Sequence, residues 1–198
     1  MSETQAGETL STPAEQEASQ SKKSSRRVLV EWALVIIAAL IFSLVIRSFL
    51  FQTFFIPSGS MEPTLLVGDR IVVSKLSVEW GSINRGDIVV FRSPPSENCG
   101  GAPTPDLVKR VVGLPGETIY STSSTIYIDG KVYRPFWQPR GPISPPISRT
   151  RIGANQFFMM GDNNSNSCDS RYWGTLSRSL VVGKVMLKIW PLSRFGTP

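Results

Sequence analysis

The chain has no histidine in 198 residues and only two cysteines. Without histidine the Ser-His-Asp relay is impossible, so any nucleophilic serine must take its base from another residue type, and lysine is the candidate. The same absence removes the commonest zinc ligand, and two lone cysteines do not complete a structural zinc site, so no metal or other cofactor is expected. Clustered positive charge is also lacking in the body of the chain. From Ser48 onward 16 Lys or Arg and 10 Asp or Glu are spread singly, with no Arg-rich run or RNA-binding aromatic signature. Nucleic acid is therefore not an expected partner, whereas an anionic lipid bilayer is.

The net charge of +6 has a local origin. Residues 1–20 carry Glu3, Glu8, Glu15 and Glu17 and no base, and Lys22, Lys23, Arg26 and Arg27 follow at once. Residues 1–21, rich in Ser, Thr, Gln and Glu, have too few apolar side chains to offset ordering entropy and are expected to be disordered. Val28 to Ile46 then runs for 19 residues with Glu31 as its single charge, nearly the length that a hydrocarbon core of about 30 Å requires. Arg47-Ser48-Phe49-Leu50 offers no small-residue cleavage site, which argues against a cleavable signal. The expected order is a disordered basic-flanked tail over 1–27, a transmembrane helix over 28–47 and an exported domain over 48–198. Four bases before the span against Arg47 after it place the N-terminus in the cytoplasm. Phe49, Phe51, Phe54 and Phe55 are then expected in the headgroup layer at the exit, with Ser60 near the outer surface.

Beyond the span, short β-branched or aromatic runs are separated by Gly and Pro: Ile71-Val72-Val73, Asp87 to Phe91, Leu107 to Val112, Ile126-Tyr127-Ile128 and Phe157 to Met160. That rhythm predicts a mainly β domain. Asp129-Gly130 is a two-residue hairpin signal, because both positions of such a turn need positive φ. Ser93 to Pro105 and Pro135 to Pro146 read as exposed loops, and Trp190 to Phe195 as the last core strand and a short tail.

Three segments carry chemistry. In Pro57-Ser58-Gly59-Ser60, Gly59 permits a tight turn, the Ser60 N–H can face a bound carbonyl oxygen, and Ser58 can add a second donor. Lys109 shares a strand face with Leu107 and Val111, so its amine is expected to be desolvated. Moving a lysine pKa from about 10.4 to about 8 costs roughly 3 kcal/mol, within what burial imposes. The alternative is a Lys109 that snorkels to the strand edge with its stem packed. Arg110 stays protonated and cannot serve as a base. Gly161 to Gly174 is dense in short hydrogen-bonding side chains. It reads either as an Asx-rich surface turn or as a loop in which Asp169 and Arg171 pair and leave Ser167 free to orient Lys109.

In order, Pro57-Ser58-Gly59-Ser60-Met61-x-Pro63-Thr64, Gly68-Asp69-x-Ile71-x-Val73-x-Lys75, Arg85 to Val89, Lys109 to Glu117 and Gly161 to Gly174 make the chain resemble the bacterial type I signal peptidases, membrane-anchored Ser-Lys proteases. The resemblance implies a β-rich catalytic core with a projecting β-ribbon, here over 118–156. It implies Ser60 as nucleophile, Lys109 as general base, Ser58 as the side-chain half of the oxyanion hole and Ser167 as the group that orients the lysine. Asp169 and Arg171 would be the bracing pair, and Ile56, Pro57, Asp106, Leu107, Val108 and Met159 would line the groove for an extended signal peptide. The implied partners are secretory preproteins with small residues at −1 and −3. The implied location is a plasma or thylakoid membrane, with the catalytic domain on the extracytoplasmic or lumenal face.

Asn164 departs from the family, which often has arginine there, and Cys168 stands where a small or apolar residue is common. Cys168 can meet Cys99, since an exported face permits disulfides; the alternative is two reduced thiols. A catalytically silent, membrane-anchored β protein that binds extended peptides by strand addition is the competing reading. A Ser-Lys self-cleaving repressor would need a DNA-binding domain, which the sequence does not contain.

Overall fold

The structure, a computed structural model, describes residues 28–44, 50–79, 81–100 and 104–198. It divides into two compact units, Met1–Ile46 and Arg47–Pro198. The expected disordered tail over 1–27 and the 45–47 end of the expected span lie outside the described residues.

In the first unit, helix α1 covers 28–44. Its Leu, Ile, Val and Ala residues run without Gly or Pro to interrupt them, and its large apolar side chains, Trp32, Leu40 and Phe42 among them, are exposed. The described part of α1, over 28–44, spans roughly 25 Å at about 1.5 Å per residue. Among the described residues no helix is long and apolar enough to cross a membrane.

The second unit is mainly β. A seven-stranded antiparallel sheet has the order β1-β2-β11-β3-β4-β9-β10, from β1 (Phe51–Phe55), β2 (Arg70–Ser74), β3 (Ile88–Arg92), β4 (Asp106–Gly113), β9 (Gln156–Met160), β10 (Leu176–Ser177) and β11 (Val181–Trp190). A four-stranded sheet, β7-β6-β5-β8, joins β5 (Thr118–Ser121), β6 (Ile126–Ile128), β7 (Lys131–Tyr133) and β8 (Thr150–Arg151). The β6–β7 turn is the hairpin that Asp129-Gly130 predicts, with φ of 50° and 78° at the two positions.

Both faces of the large sheet are covered, as the unbroken apolar runs of β3 and β4 require. Val89, Phe91, Val111, Phe157 and Met159 form one cluster, and Ile71, Val73, Ile88, Val90 and Val185 form another with Ile56, Met61 and Leu65. A third cluster joins Val112, Phe158 and Met160 to Ile119, Ile126 and Ile152 of the small sheet and its margins.

Phe51 to Phe55 forms edge strand β1, pairing residue for residue with β2, and leaves the Phe51 and Phe55 rings exposed. Two expectations change. The final strand runs from Val181 to Trp190 and stops there, with a 3₁₀ turn at Leu192–Arg194 where strand was expected. The proline-rich stretch 135–146 is not wholly exposed, since Ile143 is buried in the third cluster and Trp137 packs against it.

Candidate active site

Ser60 sits in a one-turn 3₁₀ helix, Gly59–Met61, whose Met61 is buried in the second cluster and pins the turn to the sheet. Lys109 projects from the middle of β4 and is 4 % exposed. Its Nζ lies 2.7 Å from Ser60 Oγ. Burial lowers the Lys109 pKa from 10.5 to about 8; the Asp169 carboxylate works in the opposite direction and the Arg171 guanidinium adds to the lowering. The ammonium donates to Ser60 Oγ, and the neutral amine accepts the hydroxyl proton across the same distance. Ser58 Oγ is 3.5 Å from Ser60 Oγ, the outer limit of a hydrogen bond, and is exposed to solvent.

The segment after β9 holds this pair in place. Asn163 donates its N–H to the Ser60 carbonyl at 3.1 Å and its side-chain Nδ2 to the Gly59 carbonyl at 3.0 Å. Gly161 lies so close that a Cβ there would collide with both the Ser60 carbonyl oxygen and the Ser167 hydroxyl. Asp169 caps helix α2 (Ser170–Trp173) and accepts the Gly161 N–H at 3.0 Å. Its two oxygens take Nε and Nη2 of Arg171, both at 2.8 Å, and neither side chain reaches solvent. Arg171 spends its remaining donors on the carbonyls of Ser144, Asn164 and Ser167, so one guanidinium closes the whole segment. The Ser167 hydroxyl is buried beside Gly161 and makes no hydrogen bond among the described residues.

A groove of about 320 Å³ leads away from Ser60 and Lys109 between residues 54–61 and 104–109. Ile56, Pro57, Asp106, Leu107 and Val108 line it, together with Ser58. Met159 does not: it is fully buried in the first cluster, paired with Val111 on the far side of β4. The groove offers a strip between two extended segments, where a third extended chain fits.

Residues 29–190 match the family model described as signal peptidase, peptidase S26. The signal peptidase I of Leptolyngbya laminosa is 37 % identical over 191 residues, covering 93 % of this chain and 90 % of that protein. The chain belongs to the signal peptidase family. The signal peptidase I of Bacillus caldolyticus is 33 % identical over 89 % of this chain and 97 % of its own. A probable signal peptidase I-2 of a Synechocystis strain is 32 % identical over 91 % and 82 %. A crystal structure of a signal peptidase I from Enterococcus faecalis V583 covers 52 % of this chain and 97 % of its own at 26 % identity, with a TM-score of 0.42, too low to build on. The activity that goes with membership is that of a serine peptidase that removes signal peptides from secretory preproteins.

Within this signal peptidase, sequence reading missed a second buried ion pair beside the site. Arg110 meets Asp162 through Nε at 2.8 Å and Nη2 at 2.6 Å, donates to the Gly86 carbonyl at 2.8 Å and lies over the Trp137 ring. Thr64 Oγ1 donates to the same carboxylate, which ties the turn after Ser60 to β4 and to the 161–169 segment. The sequence signal was a charged residue inside an apolar run, Arg110 next to Lys109, with acid available in Gly161-Asp162. Asn164 braces its loop without an arginine, by donating Nδ2 to the Gly141 carbonyl at 3.0 Å. Cys168 is joined to Cys99 by a disulfide, which links the loop before β4 to the segment that carries Ser167.

Proposed function

We propose that Ser60 is the nucleophile of this signal peptidase and Lys109 its general base. The observation that carries the reading is the 2.7 Å approach of a buried amine, with a pKa lowered to about 8, to the hydroxyl of a turn at the end of a peptide-sized groove. The neutral Lys109 amine takes the Ser60 proton as Oγ attacks the carbonyl carbon before the scissile bond. The oxyanion is met by the Ser60 N–H and the Ser58 hydroxyl. Lys109 returns the proton to the departing amine, and then activates the water that hydrolyses the ester. Ser167 orients the amine: its buried hydroxyl has unused hydrogen-bonding capacity beside Gly161, which also packs against Ser60. Asp169 and Arg171 act as braces, not as reacting groups.

Ile56, Pro57, Asp106, Leu107 and Val108 hold the signal peptide as an added strand, and small residues at −1 and −3 suit a shallow groove. Met159 acts from behind β4, as part of the groove's support. Residues 28–47 anchor the chain in a plasma or thylakoid membrane with a cytoplasmic N-terminus, leaving 48–198, with its ribbon over 118–156, on the extracytoplasmic or lumenal face. The apolar run to Ile46 and the Lys22 to Arg27 cluster before it support this topology.

Cleavage of a model preprotein with an Ala-x-Ala site in detergent micelles tests the reading. Ser60→Ala and Lys109→Ala should each lower kcat by about a thousandfold or more at unchanged fold. Equal activity in all three proteins would contradict it. The silent peptide-binding alternative predicts no cleavage by the wild type.

A further inference from the structure

Lys75 closes the second of the sequence motifs that carry the family resemblance, Gly68 to Lys75, yet it takes no part in the chemistry at Ser60. It stands directly after β2, where its N–H donates to the Leu50 carbonyl at 3.1 Å. There it borders a second cavity of about 370 Å³ with Gln52, Phe54, Arg92, Asp106 and Val182. Phe54 and Asp106 also line the groove that leads from Ser60. The two cavities are therefore successive sections of one trough across the mouth of the large sheet, with Phe54 and Asp106 at the boundary.

The trough changes character along its length. Beside Ser60 its walls are Ile56, Leu107 and Val108, which suit small apolar side chains. Past Asp106 they carry two cations and one carboxylate. Arg92 ends β3 directly opposite Asp106 in the β3–β4 register, and its side chain is exposed. Among the described residues neither Lys75 nor Arg92 forms an ion pair. The distal section thus has a positive balance that nothing described in the protein neutralises.

Register converts this placement into substrate positions. Asp106 precedes Lys109 by three residues on β4, about 10 Å at 3.3 Å per residue. An extended peptide whose last signal residue lies at Lys109 would bring about its fourth residue before the scissile bond level with Asp106 and with Arg92 opposite it, and the next two or three to the Lys75 side of the cavity that both cations line. We propose that this distal cavity is a subsite for signal-peptide side chains about five to seven residues before the scissile bond, accepting carboxylate and neutral polar groups and rejecting basic ones. The occupant is the substrate itself, because the cavity continues the groove at Ser60. The inference rests on the Ser60–Lys109 reading above.

The test uses the full chain in detergent micelles and peptides with Ala at −3 and −1 that differ only at −6, carrying Glu, Gln or Lys. Each enzyme is scored by its Glu-to-Lys ratio of kcat/KM, and the Gln peptide reports the underlying activity of that same enzyme. The wild type should favour Glu over Lys by about three- to tenfold, the scale of one or two part-exposed ion pairs. Lys75→Gln with Arg92→Gln should bring the ratio to about one, and Arg92→Glu alone should invert it. Because Arg92 is exposed at a strand end, the single variant keeps the test decisive if the double variant does not fold. A wild-type ratio near one, or a ratio unchanged in the variants while the Gln peptide is cleaved, overturns the subsite. Loss of binding to phosphatidylglycerol vesicles with the ratio unchanged would assign the cavity to a lipid phosphate instead and likewise overturn it. A wild type that cleaves none of the peptides would overturn the Ser60–Lys109 reading itself.

Discussion

In the proposed mechanism, Lys109 is a residue at which stability and function pull in opposite directions. Its pKa is about 8 in the fold against an ordinary 10.5. Below pH 8 both folded and unfolded chains hold the proton, and the buried charge destabilises the fold in full. Between about 8 and 10.5 the unfolded chain binds more protons than the folded one, so stability rises with pH across that window, by about 3 kcal/mol in all. Lys109→Met, similar in volume and uncharged, should therefore abolish cleavage yet raise stability at pH 7 by about 1–3 kcal/mol. Urea denaturation at pH 7 checks it; a destabilised Met variant would contradict the assignment of the shift to burial. The setting of Lys109 was legible because Leu107 and Val111 flank it at a spacing of two. The Arg110–Asp162 pair was not, since it depends on a contact between residues 52 apart in sequence, which no local pattern encodes.

At the scale of elements, the segment from Gly161 to Trp173 matters more than any single strand, because it carries Ser167, Asp169 and Arg171 and grips Ser60 through Asn163. Removing one partner of a desolvated ion pair leaves the other charge buried and alone, at about 3–5 kcal/mol. Arg171→Ala should lower stability by that amount and also reduce kcat, because the Asn164 and Ser167 carbonyls lose their donors. Arg171→Lys should rescue only part, since an ammonium cannot reproduce the forked contact with Asp169. Thermal unfolding and cleavage rates on both variants check it, and full retention of stability in the Ala variant would contradict the bracing role. The Cys99–Cys168 disulfide adds a second tie on the same segment, closing a loop of 69 residues that constrains the unfolded chain by about 4 kcal/mol in the chain-entropy account. Strands β2, β3, β4, β6 and β9 were readable because each is a short β-branched or aromatic run between turn residues. Strand β1 was hidden by its aromatic residues, which also suit a headgroup layer. Strand β11 was hidden by Gly183, Lys184 and Lys188 and by bulges between Val185 and Leu187 and between Lys188 and Trp190 that break the period of two.

For the whole molecule, an apolar N-terminal helix precedes in sequence a β unit that holds the proposed nucleophile and base. Two arginines in the apolar run, Ile37→Arg with Leu40→Arg, should release the chain from the membrane fraction after alkaline carbonate washing, since each central arginine costs about 2.5–3.5 kcal/mol on insertion. Retention in the pellet would contradict the anchor. The central claim is that a buried amine serves as base to Ser60. The measurement that meets it most directly is the pH dependence of kcat/KM on a peptide without titratable groups near the scissile bond. The account predicts a rise of about tenfold per pH unit on the acid side, levelling off near the Lys109 pKa of about 8. A rate that is flat from about pH 6 to 9, or one that rises only toward the ordinary lysine value of 10.5, would contradict it.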